Sequence, residues 1–127
     1  MKVLVLSNGK FESRDIDNTL ESLQEIVGGY IEIPFISEKL YENGIDLIIN
    51  EEGKLIEGLK TEIIIVRNET DDILDVIKGN CIFASHDEYG NTIGLNKEQE
   101  QIVLDTLKCK ALSNGLLNGD YVRLLFI

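Results

Sequence analysis

The sequence predicts an α+β fold: a mixed, largely antiparallel sheet with two to three packed helices. Short apolar runs with strand character are interspersed with amphipathic segments, and several are joined by glycine turns typical of hairpins. A parallel α/β fold would show a regular strand–helix–strand rhythm, which this chain lacks. With 127 residues, the chain is expected to form a single domain, residues 1–127, long enough to bury its own core.

The N-terminus is predicted to form a hairpin. Residues 2–7 contain a continuous apolar run, as expected of a buried strand. Asn8-Gly9 is a strong turn signal, because both residue types tolerate a left-handed backbone. Residues 11–16 are therefore expected to pair back on the first strand.

The stretch 20–32, LESLQEIVGGYIE, predicts a helix that turns directly into a strand. Its first apolar residues recur at helical spacing, with Asp17-Asn18 as cap candidates and Gly28-Gly29 as the stop. From Ile31 the apolar residues alternate up to residue 35, which indicates a strand. Pro34 cannot donate a ladder hydrogen bond, so this strand is expected at a sheet edge or to end there.

The remaining elements are predicted from the spacing of apolar residues, the content of β-branched residues and the residues that can cap a helix. Strands are predicted at residues 45–50, 61–68, 80–85 and 121–127, with a tight turn at 51–54 and a hairpin-like loop at 86–92. Residues 37–44 are predicted to form a helical turn or a loop. A short helix is predicted to begin at residues 70–72 and to stop at Gly79. A further helix is predicted to begin at a capping box at Asn96 and to run to about Lys110. Further turns are predicted at Asn114-Gly115 and Asn118-Gly119.

The last seven residues, YVRLLFI, have apolar side chains on both faces. Val122, Leu124 and Phe126 lie on one face, and Leu125 and Ile127 lie on the other. This strand is therefore expected either at the centre of the sheet or against a second copy of the chain. A homo-oligomer is expected on this basis.

The charge balance is strongly acidic, with 12 Lys and Arg against 23 Asp and Glu and a formal net charge of −11. Such a chain should avoid nucleic acid phosphates and anionic membranes, so neither is expected as a direct partner. Dispersed acids usually form a solvated surface. The alternative is an acidic surface that mimics nucleic acid and captures a basic protein.

A cytoplasmic location is expected. No apolar run approaches the roughly 20 residues of a membrane span, and the apolar run at residues 3–6 is too short for a signal peptide. Two cysteines, Cys81 and Cys109, agree with a reducing compartment and do not suggest a disulfide scaffold.

The sequence offers little support for catalysis, a metal or a cofactor. A single histidine and two cysteines without CxxC spacing argue against a zinc site. Cys81 and His86 are five residues apart and would face opposite sides of a strand, so a nucleophile–base pair is not expected. Cys81 is expected to be a small core residue. No phosphate-binding glycine motif is present.

Two of the three arginines, Arg67 and Arg123, are the strongest binding candidates. Arg67 is in phase with Ile63 and Ile65, so its stem is expected on a buried face, and Arg123 lies within the apolar terminal strand. Arginine is costly to bury unpaired and well suited to phosphate or carboxylate. The two interpretations are an ion pair with one of the acids and an anion pocket, for which a subunit interface is one location.

Other side chains would complete such a pocket. Phe83 or Tyr89 would stack on a base, although Phe83 also fits the core. Asn68 or Asn91 would read the edge of the base. His86 beside Asp87 would be a base with its orienting carboxylate, or an exposed turn residue.

Three blocks together carry a family resemblance: LESLQEIVGGYIE at 20–32, NEEGKL at 50–55, and GNCIFA at 79–84 followed by GL at 94–95. This pattern resembles a family of small proteins of unknown function carried by phages and conjugative plasmids. The resemblance implies an accessory gene product of a mobile element. Some phage proteins of this size act as sponges that sequester cyclic nucleotide signals of host defence, and the analogy with them rests on size and origin only.

The function expected first is a non-enzymatic accessory binding protein of a phage or mobile element that counteracts a host defence system. It would sequester a small anionic, nucleotide-like ligand in an oligomer. The alternative is an acidic protein–protein inhibitor that mimics nucleic acid and occupies a basic host defence protein, and a small enzyme comes third. The expected ligand-binding residues are Arg67, Asn68, Phe83, His86, Tyr89, Asn91 and Arg123, with no catalytic residue, metal or cofactor.

Overall fold

A computed structural model describes residues 1–111 and 121–127. Within them, ten strands form two sheets, accompanied by three α-helices and one 3-10 turn at Gly53–Leu55. The predicted turns at 114–115 and 118–119 lie outside the described residues. The strands are β1 (Lys2–Ser7), β2 (Lys10–Asp15), β3 (Ile31–Glu32), β4 (Ile45–Asn50), β5 (Thr61–Val66), β6 (Ile73–Lys78), β7 (Cys81–His86), β8 (Thr92–Ile93), β9 (Leu107–Ala111) and β10 (Tyr121–Phe126). The α-helices are α1 (Leu20–Val27), α2 (Glu38–Glu42) and α3 (Lys97–Thr106).

The first sheet has the strand order β2-β1-β7-β4-β3, with β8 paired to β7. The second has the order β6-β5-β10-β9. All of these pairs are antiparallel except β5 with β10, which run parallel. The α+β class with mixed, largely antiparallel pairing is confirmed.

Two apolar clusters hold the layers together. The larger lies between the two sheets, where Leu47 and Phe83 of the first sheet meet Ile63, Ile65 and Leu125 of the second. The smaller lies on the other face of the first sheet, beneath α1. The second sheet therefore has its inner face in the core and its outer face turned away from it.

The helix α1 forms where its periodicity predicts, but its cap is a different residue. Thr19, in an extended conformation, accepts a hydrogen bond from the Ser22 N–H on its Oγ1 at 3.2 Å. The predicted caps, Asp17 and Asn18, lie one to two residues before the observed cap, so this prediction is wrong. Gly28 ends the helix in the left-handed conformation, with φ of 84°.

The helix predicted from residues 70–72 to Gly79 is wrong. Arg67 donates its N–H to the Asp72 carbonyl at 2.8 Å, and Asp71 takes a left-handed φ of 61°. This turn folds β6 back onto β5 as an antiparallel hairpin. The isoleucine and valine residues of β6 suit a strand, and pairing with β5 outweighs the helical spacing of the apolar positions.

The helix α3 begins at the predicted capping box but ends early. Asn96 and Gln99 exchange side chain-to-backbone hydrogen bonds at 2.8 and 3.0 Å. The helix was predicted to reach about Lys110, yet it ends at Thr106, and β9 follows directly. The reason is the pairing of β9 with β10, which brings Leu107 into the inter-sheet core.

The edge strand β3 and the terminal strand β10 lie where the sequence placed them. The predicted alternation to residue 35 is shortened to two residues in β3, which pairs only with β4. The strand β10 lies between β5 and β9, as expected of a central strand. Leu125 enters the core, whereas Val122, Leu124 and Phe126 lie on the outer face.

Candidate functional site

Arg123 is held by backbone rather than placed in an open pocket. Its Nε donates to the Gly9 carbonyl at 2.7 Å, and an Nη donates to the Leu107 carbonyl at 3.2 Å. The guanidinium carbon lies 4.7 Å from the centroid of the Phe11 ring. These contacts are with carbonyls and an aromatic ring, so neither the ligand role nor the ion pair with an acid describes this side chain.

Phe83 is fully buried in the inter-sheet core. Its ring contacts Phe11 edge-on, with the centroids 5.7 Å apart. A ring without exposed surface has no face for a nucleobase. Of the two interpretations of Phe83, the core residue is the one that the structure shows, and Phe83 cannot contact a ligand at the surface.

Arg67 lies at the surface, where β5 ends and the turn to β6 begins, and its stem is not buried as expected. The in-phase pattern fails here because the strand ends at Val66. Arg123 is in register with Ile63, four residues before Arg67, so the two arginines are separated by roughly 13 Å along the sheet. They do not share one site.

Asn68 is tied to the end of the second sheet. Its N–H donates to the Ile127 carbonyl at 2.8 Å, and the Ile127 N–H in turn donates to the Val66 carbonyl at 2.9 Å. These bonds fix the backbone beside Arg67. Asn68 is exposed, adjacent in sequence to Arg67, but does not line the cleft described below.

The residues His86, Tyr89 and Asn91 belong to the β7–β8 hairpin, as predicted. Asp87 organises this loop by accepting the N–H groups of Tyr89 and Asn91, each at 2.9 Å. These hydrogen bonds, the one from the Asn91 backbone foremost, lower the pKa of the Asp87 carboxyl. None of the three predicted residues lines the cleft at Arg67.

His86 is oriented by a different carboxylate from the one expected. Its Nδ1 lies 2.9 Å from Oδ2 of Asp46 on β4, not against Asp87. Tyr89 is 81% exposed, and the Asn91 side chain donates to Asp87. The loop is therefore internally hydrogen bonded, with a projecting tyrosine.

The structure places Arg67 in a surface cleft of about 400 Å³. Four parts of the chain build it: the linker after β3 with the first turn of α2, the end of β5, the start of β6, and the end of β10. Ser37 caps α2 by accepting the Leu40 N–H at 3.3 Å, which sets the direction of the linker. The lining residues are Phe35, Ile36, Ser37, Glu38, Lys39, Arg67, Leu74, Phe126 and Ile127.

Two cations and two aromatic rings distinguish this cleft. Within the described residues, the side chains of Arg67 and Lys39 make no hydrogen bond or ion pair. Phe35 and Phe126 provide apolar surface, and Glu38 has the one carboxylate side chain among the described lining residues. Such a set can hold an anion that carries a flat apolar group.

Sequence reasoning missed Phe35 and Lys39. The sequence pattern places Phe35 in a strand, which in fact ends at Glu32, and places Lys39 in a polar turn or helical turn. The signal was the Pro34-Phe35 pair, where an aromatic residue follows a proline that interrupts the strand. Phe35 and Ile36 line two neighbouring clefts as well, so this linker is the centre of the concave surface.

The remaining chemistry of the described residues is sparse. No group of three or more His, Cys, Asp or Glu side chains in residues 1–111 and 121–127 could hold a metal ion. Cys81 is buried in the core, where burial and the nearby charge of Glu62 raise the pKa of its thiol. None of the helices in these residues is long and apolar enough to cross a membrane.

Comparison with known proteins places the chain in a family without assigning it an activity. Neither the curated proteins nor the solved structures contain a significant match. A family model matches residues 1–108, which include Phe35, Lys39 and Arg67 but not β10. The chain therefore belongs to the family described as a domain of unknown function, DUF3846.

Proposed function

We propose that this protein is a non-enzymatic accessory binding protein of a phage or other mobile element. It acts in the cytoplasm of the bacterial host, where it counteracts a defence system by sequestering a small anionic, nucleotide-like ligand. The observation that carries the proposal is the cleft in which Arg67 and Lys39 lie unpaired beside Phe35 and Phe126.

The cations support an anionic ligand. Arg67 and Lys39 lie in one cleft, and neither side chain has a partner among the described residues. A guanidinium can bind two oxygens of a phosphate at once, and an ammonium adds a second, less directional charge. The ligand would therefore place its phosphate between Arg67 and Lys39.

The size and the walls of the cleft support a ligand with a flat ring. Its volume of about 400 Å³ lies within the range of small-molecule sites, roughly 300–1,000 Å³. The Phe35 side chain is 66% exposed, so its ring has a free face for a base to stack on. A nucleoside phosphate matches both features.

The lining also favours binding over catalysis. Its serine, Ser37, is buried and is engaged in capping α2. A nucleophile needs an adjacent base that is itself oriented, and His86, with Asp46 beside it, is not among the described lining residues. The cleft is therefore suited to hold a ligand unchanged.

The test is a binding measurement with a nucleotide panel that includes linear and cyclic mono- and dinucleotides. A true ligand gives a saturable thermal shift and a calorimetric isotherm, because it stabilises only the folded state. Arg67→Ala and Lys39→Ala should each weaken binding at least about tenfold, since each removes one charge-assisted contact. Arg14→Ala and Lys10→Ala on β2 remove the same charges far from the cleft and should leave binding unchanged. If no member of the panel binds, the proposal fails.

A second candidate is an acidic protein–protein inhibitor that occupies a basic, nucleic-acid-binding host protein. The observation that favours it is an exposed aromatic pair, Phe35 and Tyr41, in edge-on contact with ring centroids 5.2 Å apart. Exposed aromatics at the centre of a surface, with charges around them, are typical of protein interfaces. This function predicts binding to a basic DNA-binding protein that weakens steeply with salt and is displaced by DNA. It also predicts that Tyr41→Ala impairs binding and Arg67→Ala does not.

A further inference from the structure

The outer face of the second sheet carries an apolar groove of about 360 Å³. Val66 and Val122 form its buried floor, and Ile64 and Leu124, half-buried and in register, lie at its middle. Ile73 and Phe126 form part of its rim and are exposed. An apolar face of this kind on a soluble chain is typical of an interaction surface.

The two charged side chains among the described residues that line this groove lie at opposite corners. Lys110 is on the edge strand β9, opposite Val122, where β10 begins. Asp71 is in the turn between β5 and β6, beyond Val66, at the other edge and the other end. Two to three strand spacings separate them across the sheet and four to five residues along it, which is roughly 12 Å in one direction and roughly 15 Å in the other.

We propose that this face binds the same face of a second copy of the chain, forming a two-fold symmetric dimer. The two charged corners lie at the ends of one diagonal of the face. Because the face is about as long as it is wide, a two-fold axis along the second diagonal exchanges these two corners. Lys110 of each copy then meets Asp71 of the other, and the Ile64–Leu124 centre packs on itself. Such an axis requires the strands of the two sheets to cross at nearly a right angle, one of the two usual ways in which sheets pack.

Charge complementarity identifies a second copy as the occupant. A membrane or nucleic acid surface is anionic and would leave Asp71 unpaired, and an acidic or basic peptide would likewise leave one of the two corners unpaired. A second copy pairs both corners at once. The face is small, so the dimer should be weak, with a dissociation constant of about micromolar or higher. The face shares Phe126 with the ligand cleft, so the dimer is tested without ligand.

The first test is light scattering without ligand over a wide range of protein concentration. The mass should rise from that of the monomer to twice that value. Lys110→Glu and Asp71→Asn should each shift the midpoint to at least about fivefold higher concentration. Asn retains tolerance of the left-handed φ of 61° at position 71. The double reversal Lys110→Asp with Asp71→Lys should recover most of the association, because both corner pairs are re-formed.

The second test identifies the face. Leu124→Cys in a Cys109→Ser background places a thiol close to the two-fold axis, where a short bismaleimide should join the two chains. Lys10→Cys in the same background is the matched control on the distant strand β2 and should not cross-link. Circular dichroism checks that each variant is folded.

Three results would overturn the proposal. One is a protein that stays monomeric at all concentrations. A monomer in which the thiol at position 124 reacts slowly counts as the same result, because the face would then be covered within one chain. Another is a dimer that cross-links equally from both positions. The third is a dimer that is insensitive to both corner substitutions, which would place the interface elsewhere.

Discussion

Glu62 and Arg123 hold the same residue, Gly9, by its two backbone groups. The Glu62 carboxylate accepts the N–H of Gly9 at 2.8 Å and that of Asn8 at 2.9 Å, and Arg123 donates to the Gly9 carbonyl at 2.7 Å. Both side chains belong to the second sheet, whereas Gly9 is in the β1–β2 turn of the first. The pair therefore fastens the two sheets at one corner.

Replacing Glu62 should destabilise the fold strongly. In Glu62→Gln one position of the carboxylate becomes an NH₂ group, which cannot accept the backbone N–H it would face, and the charge is lost. Hydrogen bonds to charged groups are worth about 1.5–3 kcal/mol each, so a loss of about 3 kcal/mol in unfolding free energy is expected. Urea denaturation measures it. Glu12→Gln, on the exposed strand β2, is the control and should change stability by less than about 0.5 kcal/mol.

The two arginines should separate into a structural and a binding residue. Arg123→Ala removes two hydrogen bonds to carbonyls and the contact with Phe11, so it should lower the unfolding free energy by about 2 kcal/mol. Arg67→Ala removes an exposed side chain without a partner among the described residues, so its effect should be below about 0.5 kcal/mol. Equal destabilisation by the two substitutions, measured by urea denaturation, would contradict this assignment.

The position of Arg123 could not be read from the sequence because its partners are carbonyls from distant segments. The apolar pattern around it predicted either a central strand or a strand against a second copy, and β10 lies between β5 and β9. Which atoms surround the guanidinium depends on where the β1–β2 turn lies, and that is set by the packing of two sheets. The best sequence signal for this corner was Glu62, an acid followed by four β-branched residues.

Local signals predicted the elements whose ends are fixed locally. The capping box at Asn96 and the turn at Asn8-Gly9 are examples, because their hydrogen bonds and dihedral angles involve neighbouring residues. The segments around β6 and β9 failed because both are edge strands whose apolar spacing also fits a helix. Pairing with β5 and β10 decided their structure, and no local residue encodes it.

The helix α1 should depend on Thr19 and not on Asp17. Thr19→Ala removes the acceptor for the Ser22 N–H, so it should cost about 1 kcal/mol of unfolding free energy. Asp17→Ala lies outside the cap and should cost less than about half of that. If Asp17→Ala lowers the unfolding free energy more than Thr19→Ala in thermal or urea denaturation, Asp17 and not Thr19 is the cap of α1.

The two cysteines should react at very different rates. Cys109 is exposed on β9, whereas Cys81 is buried and its thiol pKa is raised by burial and by the charge of Glu62. At pH 8, a thiol reagent should modify one cysteine per folded chain, and peptide mapping should identify Cys109. Cys81 should react only in denaturant. Rapid modification of both in the native protein would mean that the inter-sheet core opens readily.

The β7–β8 loop should lose stability in acid through Asp87. Hydrogen bonds, chiefly from the Asn91 backbone, lower the folded-state pKa of this carboxyl below its usual 3.8. A group whose pKa is depressed on folding adds stability above its unfolded pKa and loses it as the pH falls through the folded pKa. The stability difference between the native chain and Asp87→Ala should therefore be constant from pH 7 to about pH 5 and shrink below about pH 4. Carbon-detected NMR titration should give a midpoint for Asp87 below 3.8, and a midpoint at or above that value would show that the carboxylate does not hold the loop.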